Sequence, residues 1–252
     1  MRVFITGATS GLGRALARHY ANNGATLGLA ARGRDALAAL AAELPATSHV
    51  FAVDVRNAAA MQDAAADFLA RCGGADIVIA NAGISVGTDA AIATDLDVLR
   101  EIVDINVIGM ANTFQPFVAA MREARSGTLA GIASVAGYRG LPGSGGYSAS
   151  KAAAISYLES TRVELHGSGV RVVAVSPGYI ATPMTAHNPY RMPFLMTADQ
   201  AAAKIARRIE RGTSYSVIPW QMAIVARLMR VLPDALYDRL AARSLRKPRR
   251  GQ

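Results

Sequence analysis

The chain has 252 residues, 52% hydrophobic and 18% charged, and this length suits one α/β domain with a sizeable core. A single cysteine, Cys72, excludes internal disulfides and is consistent with a reducing cytosol. Four widely separated histidines show no ligand spacing, so we expect no metal site. The net charge is +9, but no recognisable nucleic-acid-binding module accompanies it, and we expect no nucleic-acid partner.

Neither end of the chain predicts export or insertion into a membrane. No signal peptide fits the N-terminus, because the first predicted strand starts at Arg2. No uncharged apolar run approaches the ~18 residues that a membrane span needs. We therefore expect a cytoplasmic protein.

Strand-like apolar runs alternate with helical patterns along the chain. The predicted strands lie at 2–6, 25–31, 48–54, 75–80, 127–133, 169–176 and 214–218. The predicted helices lie near 11–23, 33–44, 57–71, 95–122, 147–166 and 198–211. Strict alternation with short connections predicts a single-domain α/β fold, a doubly wound parallel sheet with helices on both faces. In such a sheet, ligands bind outside the carboxyl ends of the strands.

The first predicted strand runs into a glycine-rich turn. Gly7, Gly11 and Gly13 follow the apolar run Val3-Phe4-Ile5 with the spacing G-x-x-x-G-x-G, and a helical pattern begins directly after them. A strand, a glycine turn and a helix N-terminus form an anion site, because free backbone N–H groups point at a phosphate. An ordinary strand-to-helix turn is the alternative, and the three glycines at fixed offsets favour nucleotide binding.

Tyr147 and Lys151 are four residues apart on a predicted helix, and Ser134 lies upstream at the end of the fifth strand. Residues four apart share a helix face, so the ammonium can stand near the phenol. A neighbouring cation would lower the phenol pKa from its ordinary value of ~10. A tyrosine tuned in this way can transfer a proton to or from an alcohol or carbonyl oxygen.

Together these segments resemble the short-chain dehydrogenase/reductase family, whose members have a Rossmann-type fold. Further motifs match in order as far as about residue 218. They are Asp54-Val55 after the third strand, Asn81-Ala82-Gly83 after the fourth, Asn106-Val107 within the helix beginning near Asp95, and 177–182 after the sixth strand.

The resemblance implies hydride transfer between a nicotinamide cofactor and a carbonyl or secondary alcohol. Tyr147 would be the general acid or base, Lys151 would lower its pKa and hold the nicotinamide ribose, and Ser134 would bind the substrate oxygen. Asn106 would bind the water that links Lys151 to solvent. The residues that would contact the cofactor are Gly7, Thr9, Ser10, Gly11, Leu12, Gly13, Arg32, Asp54, Val55, Asn81, Ala82, Gly83, Tyr147, Lys151, Pro177, Gly178, Ile180 and Thr182.

The end of the second strand bears on the choice of cofactor. An acidic residue usually stands there in NAD enzymes, whereas this chain has Arg32 and no carboxylate before Asp35. Arg32 can form charge-assisted hydrogen bonds to a 2′-phosphate, so we expect NADP(H) to be preferred over NAD(H). Asp54 is open to two interpretations, a helix cap or a partner of the adenine ring.

The segment 183–197 falls where the resemblance places a substrate lid. It is rich in methionine and other apolar residues, which predicts an adaptable apolar wall and a lipophilic substrate. Mere loop packing is the alternative. The predicted pocket residues are Tyr138, Leu141, Tyr179, Met184 and Phe194, with Met192, Leu195 and Met196 also in the wall.

Residues 219–252 form a helical and basic C-terminal extension that carries +6 of the net charge. Two helices are predicted, at 220–232 and 234–245, with Trp220, Ile224, Leu228 and Val231 on one stripe of the first. The favoured expectation is that this stripe packs on the protein while the tail is solvated. The alternatives are an anionic membrane surface, an acidic protein such as an acyl carrier, or packing over the substrate pocket.

The sequence therefore predicts a single-domain NADP(H)-dependent oxidoreductase acting on a lipophilic substrate. A non-catalytic nicotinamide-nucleotide-binding sensor or scaffold is the alternative. Helices 95–122 and 147–166 pair across a two-fold axis in the family, so we expect a homodimer or homotetramer.

Overall fold

The computed structural model of the protein describes residues 1–251, in which seven parallel strands form one sheet. The strand order is β3-β2-β1-β4-β5-β6-β9, and every predicted strand is present. A separate pair, β7-β8, lies beside it. The strands are β1 (Arg2–Thr6), β2 (Thr26–Ala31), β3 (Ser48–Ala52), β4 (Ile77–Ala80), β5 (Gly127–Ile132), β6 (Val170–Pro177), β7 (Ile180–Ala181), β8 (Met196–Thr197) and β9 (Tyr215–Ile218).

Helices cover both faces of the sheet, as the alternating pattern predicts. The core on one face is built with α1, α2 and α7, and the core on the other with α3, α5 and α6. Because both faces are buried, the central strands consist almost entirely of apolar residues. The helices are α1 (Gly11–Asn22), α2 (Arg34–Glu43), α3 (Ala58–Cys72), α4 (Asp95–Val103), α5 (Gly109–Glu123), α6 (Gly145–Glu164), α7 (Ala198–Glu210), α8 (Trp220–Val231) and α9 (Asp234–Ala241).

The prediction of one continuous helix over 95–122 is wrong in one respect. A π-helical turn, Asp104–Ile108, separates α4 from α5 and contains Asn106. Such turns widen the helix locally and are frequent at functional sites. Here the turn places Asn106 in the buried interior, at 1% exposure.

The strand order reverses between β1 and β4, and a hydrogen-bond clamp joins the ends of these two strands. The backbone N–H groups of Asn81 and Ala82 donate to Thr6 Oγ1 over 3.2 and 3.3 Å. Asn81 Nδ2 donates to the carbonyls of Thr6 and Gly7 over 3.0 and 3.2 Å. An added Cβ at Gly13 would lie 2.1 Å from the Gly7 carbonyl oxygen, so only glycine lets α1 start this close to the clamp.

The first C-terminal helix packs with a different face from the predicted one. Trp220, Leu228 and Val231 of the predicted stripe are 68%, 60% and 75% exposed, and Ile224 is 48% exposed. The buried face of α8 instead carries Met222, whose side chain fills the space beside the bare Cα of Gly178. Both faces of this helix are apolar, so its periodicity alone did not select the packed one.

The tail after α9 is also not solvated as expected. Arg246 pairs with Asp89, and Arg249 pairs with Asp95 at the start of α4. Arg250 pairs with Glu101 of α4. The tail therefore lies across the protein from α9 towards α4. Among residues 1–251, no helix combines the length and apolar character needed to cross a membrane.

Candidate active site

Two adjoining clefts follow the carboxyl edge of the sheet and share Gly7, Ser10, Ala82 and Gly83. Every residue predicted to contact the cofactor lines one of them. The first is lined by Gly7, Ser10, Gly11, Leu12, Gly13, Asn81, Ala82, Gly83, Tyr147, Lys151, Pro177, Gly178, Ile180 and Thr182. The second adds Thr9, Arg32, Asp54 and Val55. The shared residues make the two clefts one elongated groove, as a dinucleotide requires.

The middle of this groove is the N-terminus of α1. Ser10 is the N-cap residue, but its side chain makes no capping hydrogen bond, and the first turn has no acidic residue. Gly11 has φ +49°, a conformation that glycine adopts without strain. Uncapped N–H groups and the positive end of the helix dipole suit a pyrophosphate. The residues present therefore fit a dinucleotide cofactor.

Two charged residues, Arg32 and Asp54, line one end of the groove. Asp54 accepts hydrogen bonds from the Arg56 guanidinium at 2.6 to 3.1 Å, which holds the pKa of that carboxyl below its usual value. The interpretation of Asp54 as a helix cap is wrong, because Asn57 caps α3 by accepting from Ala60 N. Arg32 is exposed and lines the cleft.

At the other end of the groove, Ser134 and Tyr147 lie on the wall that the first cleft shares with a third cavity. Ser134 follows β5, and its Oγ accepts a hydrogen bond from Ala136 N over 3.1 Å. Burial raises the pKa of the Tyr147 phenol, and a hydrogen bond with Ser134 opposes this. Lys151 is not among the causes of this shift, so the expectation that it lowers the phenol pKa stays a prediction.

Lys151 lies one turn beyond Tyr147 on α6 and is 5% exposed. Its Nζ donates to the carbonyl of Ile132 over 2.7 Å and stands 5.8 Å from the centroid of the Tyr147 ring. Burial without a carboxylate partner disfavours the charged ammonium and lowers the pKa of Lys151 to about 8. The side chain is thus held between the fifth strand and the phenol.

Asn106 fixes the loop after β4 against α6. Its Oδ1 accepts from Ile84 N over 2.8 Å, and its Nδ2 donates to Ile84 O and Ser150 Oγ over 3.0 and 2.9 Å. An added Cβ at Gly83 would lie 3.1 Å from Asn106 Oδ1 and 3.6 Å from Lys151 Nζ. Asn106 therefore lies close to Lys151, and its role in binding a water molecule stays a prediction.

The third cavity opens from Ser134 and Tyr147 and is the candidate substrate pocket. Leu141, Tyr179 and Met184 line it as predicted. Tyr138 and Phe194 do not line it. The Tyr138 hydroxyl is hydrogen-bonded to Tyr215 of β9, and Phe194 is 48% exposed on the lid segment.

Met196 and Leu195, which were also predicted for the wall, differ in how deeply they are buried. Met196 belongs to the core through the β7-β8 pair, which closes the base of the lid segment. Leu195 is 47% exposed. The lid is thus partly loop packing, as the alternative interpretation held. Within residues 1–251, no group of three or more His, Cys, Asp or Glu side chains is placed to hold a metal ion.

Sequence reasoning missed several residues of the substrate pocket. Tyr190 and Arg191 lie in the predicted lid segment but carried no signal of their own. Ser244, Leu245 and Lys247 come from the C-terminal tail, more than ninety residues after Tyr147. The only signal for them was the alternative that the extension packs over the pocket, and the structure places it there.

Comparisons with known proteins agree with this geometry. A sequence model of the family described as short chain dehydrogenase matches residues 1–192. An uncharacterized oxidoreductase of Myxococcus xanthus is 41% identical over 245 residues, which cover 96% of each chain. A 2-dehydro-3-deoxy-L-rhamnonate dehydrogenase (NAD(+)) of Sphingomonas sp. is 38% identical over 71% of this chain and 72% of its own. The structure of a Burkholderia cenocepacia short chain dehydrogenase with NADP superposes with a TM-score of 0.81 at 25% identity, covering 95% and 96% of the chains.

The buried state of Lys151 leads to a direct prediction. The sequence has only three lysines, so ¹³C-labelled lysine should give three resolvable Cε resonances in an NMR titration. One of them should titrate at about pH 8, against ~10.4 for an ordinary lysine, and should be missing from Lys151→Met. A Lys151 resonance that titrates with the ordinary midpoint would contradict the burial argument.

Proposed function

Because the chain belongs to the short-chain dehydrogenase family, we propose that it transfers a hydride between NADP(H) and a carbonyl or secondary alcohol. Oxidoreductase chemistry on CH–OH and C=O groups is the activity of this family. One observation carries the proposal. Ser134 and Tyr147 stand on the wall between the nucleotide groove and the substrate pocket, with Lys151 beside them.

The side chains at this wall have complementary roles. The nicotinamide supplies the hydride chemistry when bound. In reduction, Tyr147 gives its proton to the substrate oxygen, and its raised pKa keeps the phenol protonated at neutral pH. The hydroxyl of Ser134 donates to the same oxygen and stabilises the charge that develops there. The ammonium of Lys151 adds positive charge beside the phenol and stabilises the phenolate that remains after the proton has been given up.

A sensor or scaffold that binds the nucleotide without turnover is the alternative. Such a protein needs no proton donor at the junction of two cavities. Ser134 and Lys151 are buried beside the half-buried Tyr147, with Asn106 clamped behind them, and this set favours an enzyme.

The pocket supports a lipophilic substrate. Val135, Ala136, Leu141, Met184 and Leu245 line it and present apolar surface next to Tyr147. An apolar wall excludes water from a reacting carbonyl and binds an apolar ring or chain through burial of surface. We infer a ketone, aldehyde or alcohol with a substantial apolar body.

Tyr147→Phe tests the reaction. The variant removes only the phenol oxygen, so binding of NADPH should stay nearly unchanged while turnover falls by at least ~10²-fold. Tyr157→Phe is the matched control, because Tyr157 lies on the same helix and lines neither cleft nor the pocket. Steady-state rates over a panel of ketones and aldehydes measure the effect. An unchanged kcat in Tyr147→Phe would remove this residue from the mechanism, and cofactor binding without turnover across the panel would favour the sensor.

Arg32 supports the preference for NADP(H), since it lines the adenosine end of the groove and no acidic residue occupies its position. The only carboxylate in that cleft, Asp54, is engaged by Arg56. The Sphingomonas relative is named for NAD(+), so the cofactor preference of this chain needs a direct test.

Arg32→Ala should raise the KM for NADPH about tenfold or more while leaving the KM for NADH nearly unchanged, because only NADPH carries a 2′-phosphate. Arg34→Ala provides the control, since Arg34 is exposed at the start of α2 and lines neither cleft. A wild-type enzyme that prefers NADH would overturn this assignment.

Helix α6 supports the proposed homodimer. Ala149, Ala153, Ser156 and Ser160 form an exposed stripe of small residues at helical spacing. Small residues let the backbones of two helices approach closely, and a two-fold axis would bring two such stripes together. Pairing of two dimers would give the homotetramer.

Ala153→Arg should convert the dimer to a monomer, because a long charged side chain would stand at the centre of this stripe. Ala38→Arg places the same side chain on an exposed position of α2 and should leave the dimer intact. Light scattering at micromolar concentration distinguishes the two. A monomeric wild-type protein would end the proposal.

A cytoplasmic location and contact with an anionic membrane surface stay predictions. The exposed stripe of Trp220, Ile224, Leu228 and Val231 supports an apolar contact with such a surface. The tail supports it less, because Arg246, Arg249 and Arg250 are paired with carboxylates of the same chain.

A further inference from the structure

The C-terminal tail, residues 244–251, is built into the wall of the substrate pocket. Gly87 N donates to the carbonyl of Pro248 over 3.0 Å. An added Cβ at Gly87 would lie 2.3 Å from the Lys247 carbonyl oxygen, and one at Gly143 would lie 2.7 Å from Arg246 Cβ. Two glycines therefore leave room for the backbone of the tail to pass over the protein.

Arg249 is the anchor of this tail. Its Nε and Nη2 donate to the two oxygens of Asp95 over 2.8 and 2.9 Å, and the Asp95 side chain is only 9% exposed. Asp95 Oδ2 also accepts from Asp89 N over 2.7 Å. This bidentate pair with little solvent exposure has fixed geometry, unlike an ordinary surface ion pair. The tail is thus held at a fixed position by its contacts with Gly87 and Asp95.

This fixed position of the tail places Lys247 at the wall of the pocket. Lys247 lines the cavity together with Ser134 and Tyr147, and its Nζ donates to the carbonyl of Met184 over 3.4 Å. Among the described residues 1–251, no carboxylate forms an ion pair with Lys247. Burial lowers the pKa of Lys247, since the ammonium has lost part of its hydration without gaining a counter-ion.

The charge of the whole pocket has the same sign. Arg191 of the lid segment also lines the cavity, and no Asp or Glu among the described residues does so. Arg191 is exposed, whereas Lys247 is half-buried, and a partly desolvated cation is costly unless an anion is bound near it. A ligand that has both an apolar body and an anionic group would match the apolar and the cationic residues of this pocket.

Resting on the proposed carbonyl reduction, we propose that the substrate carries an anionic group, such as a carboxylate, and that Lys247 of the C-terminal tail binds it. Arg191 faces the same cavity and adds to the attraction. Lys247 is a specificity-determining residue, and Arg249 is a positioning residue that acts through it. The tail lies beyond residues 1–192, where the match to the family model ends, so that match does not account for this subsite.

Oxo acids of graded length, from 4-oxopentanoate to 8-oxononanoate, and their methyl esters test the proposal. Each pair differs in the charge and leaves the reacting carbonyl unchanged. The wild-type enzyme should have a kcat/KM at least ~10-fold higher for the best acid than for its ester. Lys247→Met should remove this preference by raising the KM for the acid, with little change in kcat or in the reaction of the ester. Arg249→Gln should shift the preference in the same direction.

Lys204→Met is the matched control, because Lys204 is exposed on α7 and lines none of these cavities; it should keep the preference. Binding is read independently of turnover from the Lys247 ¹³Cε resonance, which the best-binding oxo acid should shift in the presence of NADP⁺ while the Lys204 resonance stays in place.

Equal reduction of acids and esters, with no movement of the Lys247 resonance, would overturn the anionic subsite and leave the proposed reaction intact. A shifted Lys247 resonance without reduction of any compound would support the subsite and contradict the reaction.

Discussion

The hydrogen-bond clamp between the ends of β1 and β4 is the constraint on which the site depends. Asn81 and Thr6 hold these strand ends together where the order of the sheet reverses. The clamp sets the position of Gly7, and Gly7 sets how closely Gly13 and the start of α1 can approach. The uncapped helix N-terminus is therefore placed at the middle of the groove, and the groove reaches the fifth strand on one side and the second on the other.

Burial controls the chemistry at the far end of that groove. The same low-dielectric wall raises the pKa of Tyr147 and lowers that of Lys151. An exposed tyrosine and an exposed lysine have similar pKa values. Here the phenol holds its proton more tightly and the amine holds its proton less tightly than exposed residues would. A phenol that stays protonated is suited to donate to a carbonyl oxygen in the proposed reaction.

The C-terminal extension joins the sheet to the candidate substrate pocket. Its first helix packs through Met222 on Gly178, at the end of a strand that also lines the nucleotide groove. Its tail then crosses the substrate pocket and is anchored by Arg249 on Asp95. The residues that line the groove thus follow the strands or belong to α1 and α6, whereas part of the wall of the candidate substrate pocket comes from the C-terminal tail. The two can vary independently, because they lie on different elements.

The sequence by itself determined the sheet, its helices and the nucleotide groove. Period and turn signals are local, and a parallel sheet brings all strand ends to one edge, so Gly7, Asp54, Asn81 and Ser134 could be placed at one site from the sequence. The π-helical turn around Asn106 was not predictable, because its pattern differs little from that of a continuous helix.

Only the tertiary structure decided which face of α8 packs and where the tail lies. Both faces of that helix are apolar, so its periodicity fits either orientation, and the close approach of Met222 to Gly178 selected one. The pair of Arg249 and Asp95 joins residues 154 positions apart, and no local pattern encodes such a contact. The physical reason is that ion pairs and packing faces depend on what the rest of the fold presents, whereas strands and glycine turns depend on their own residues.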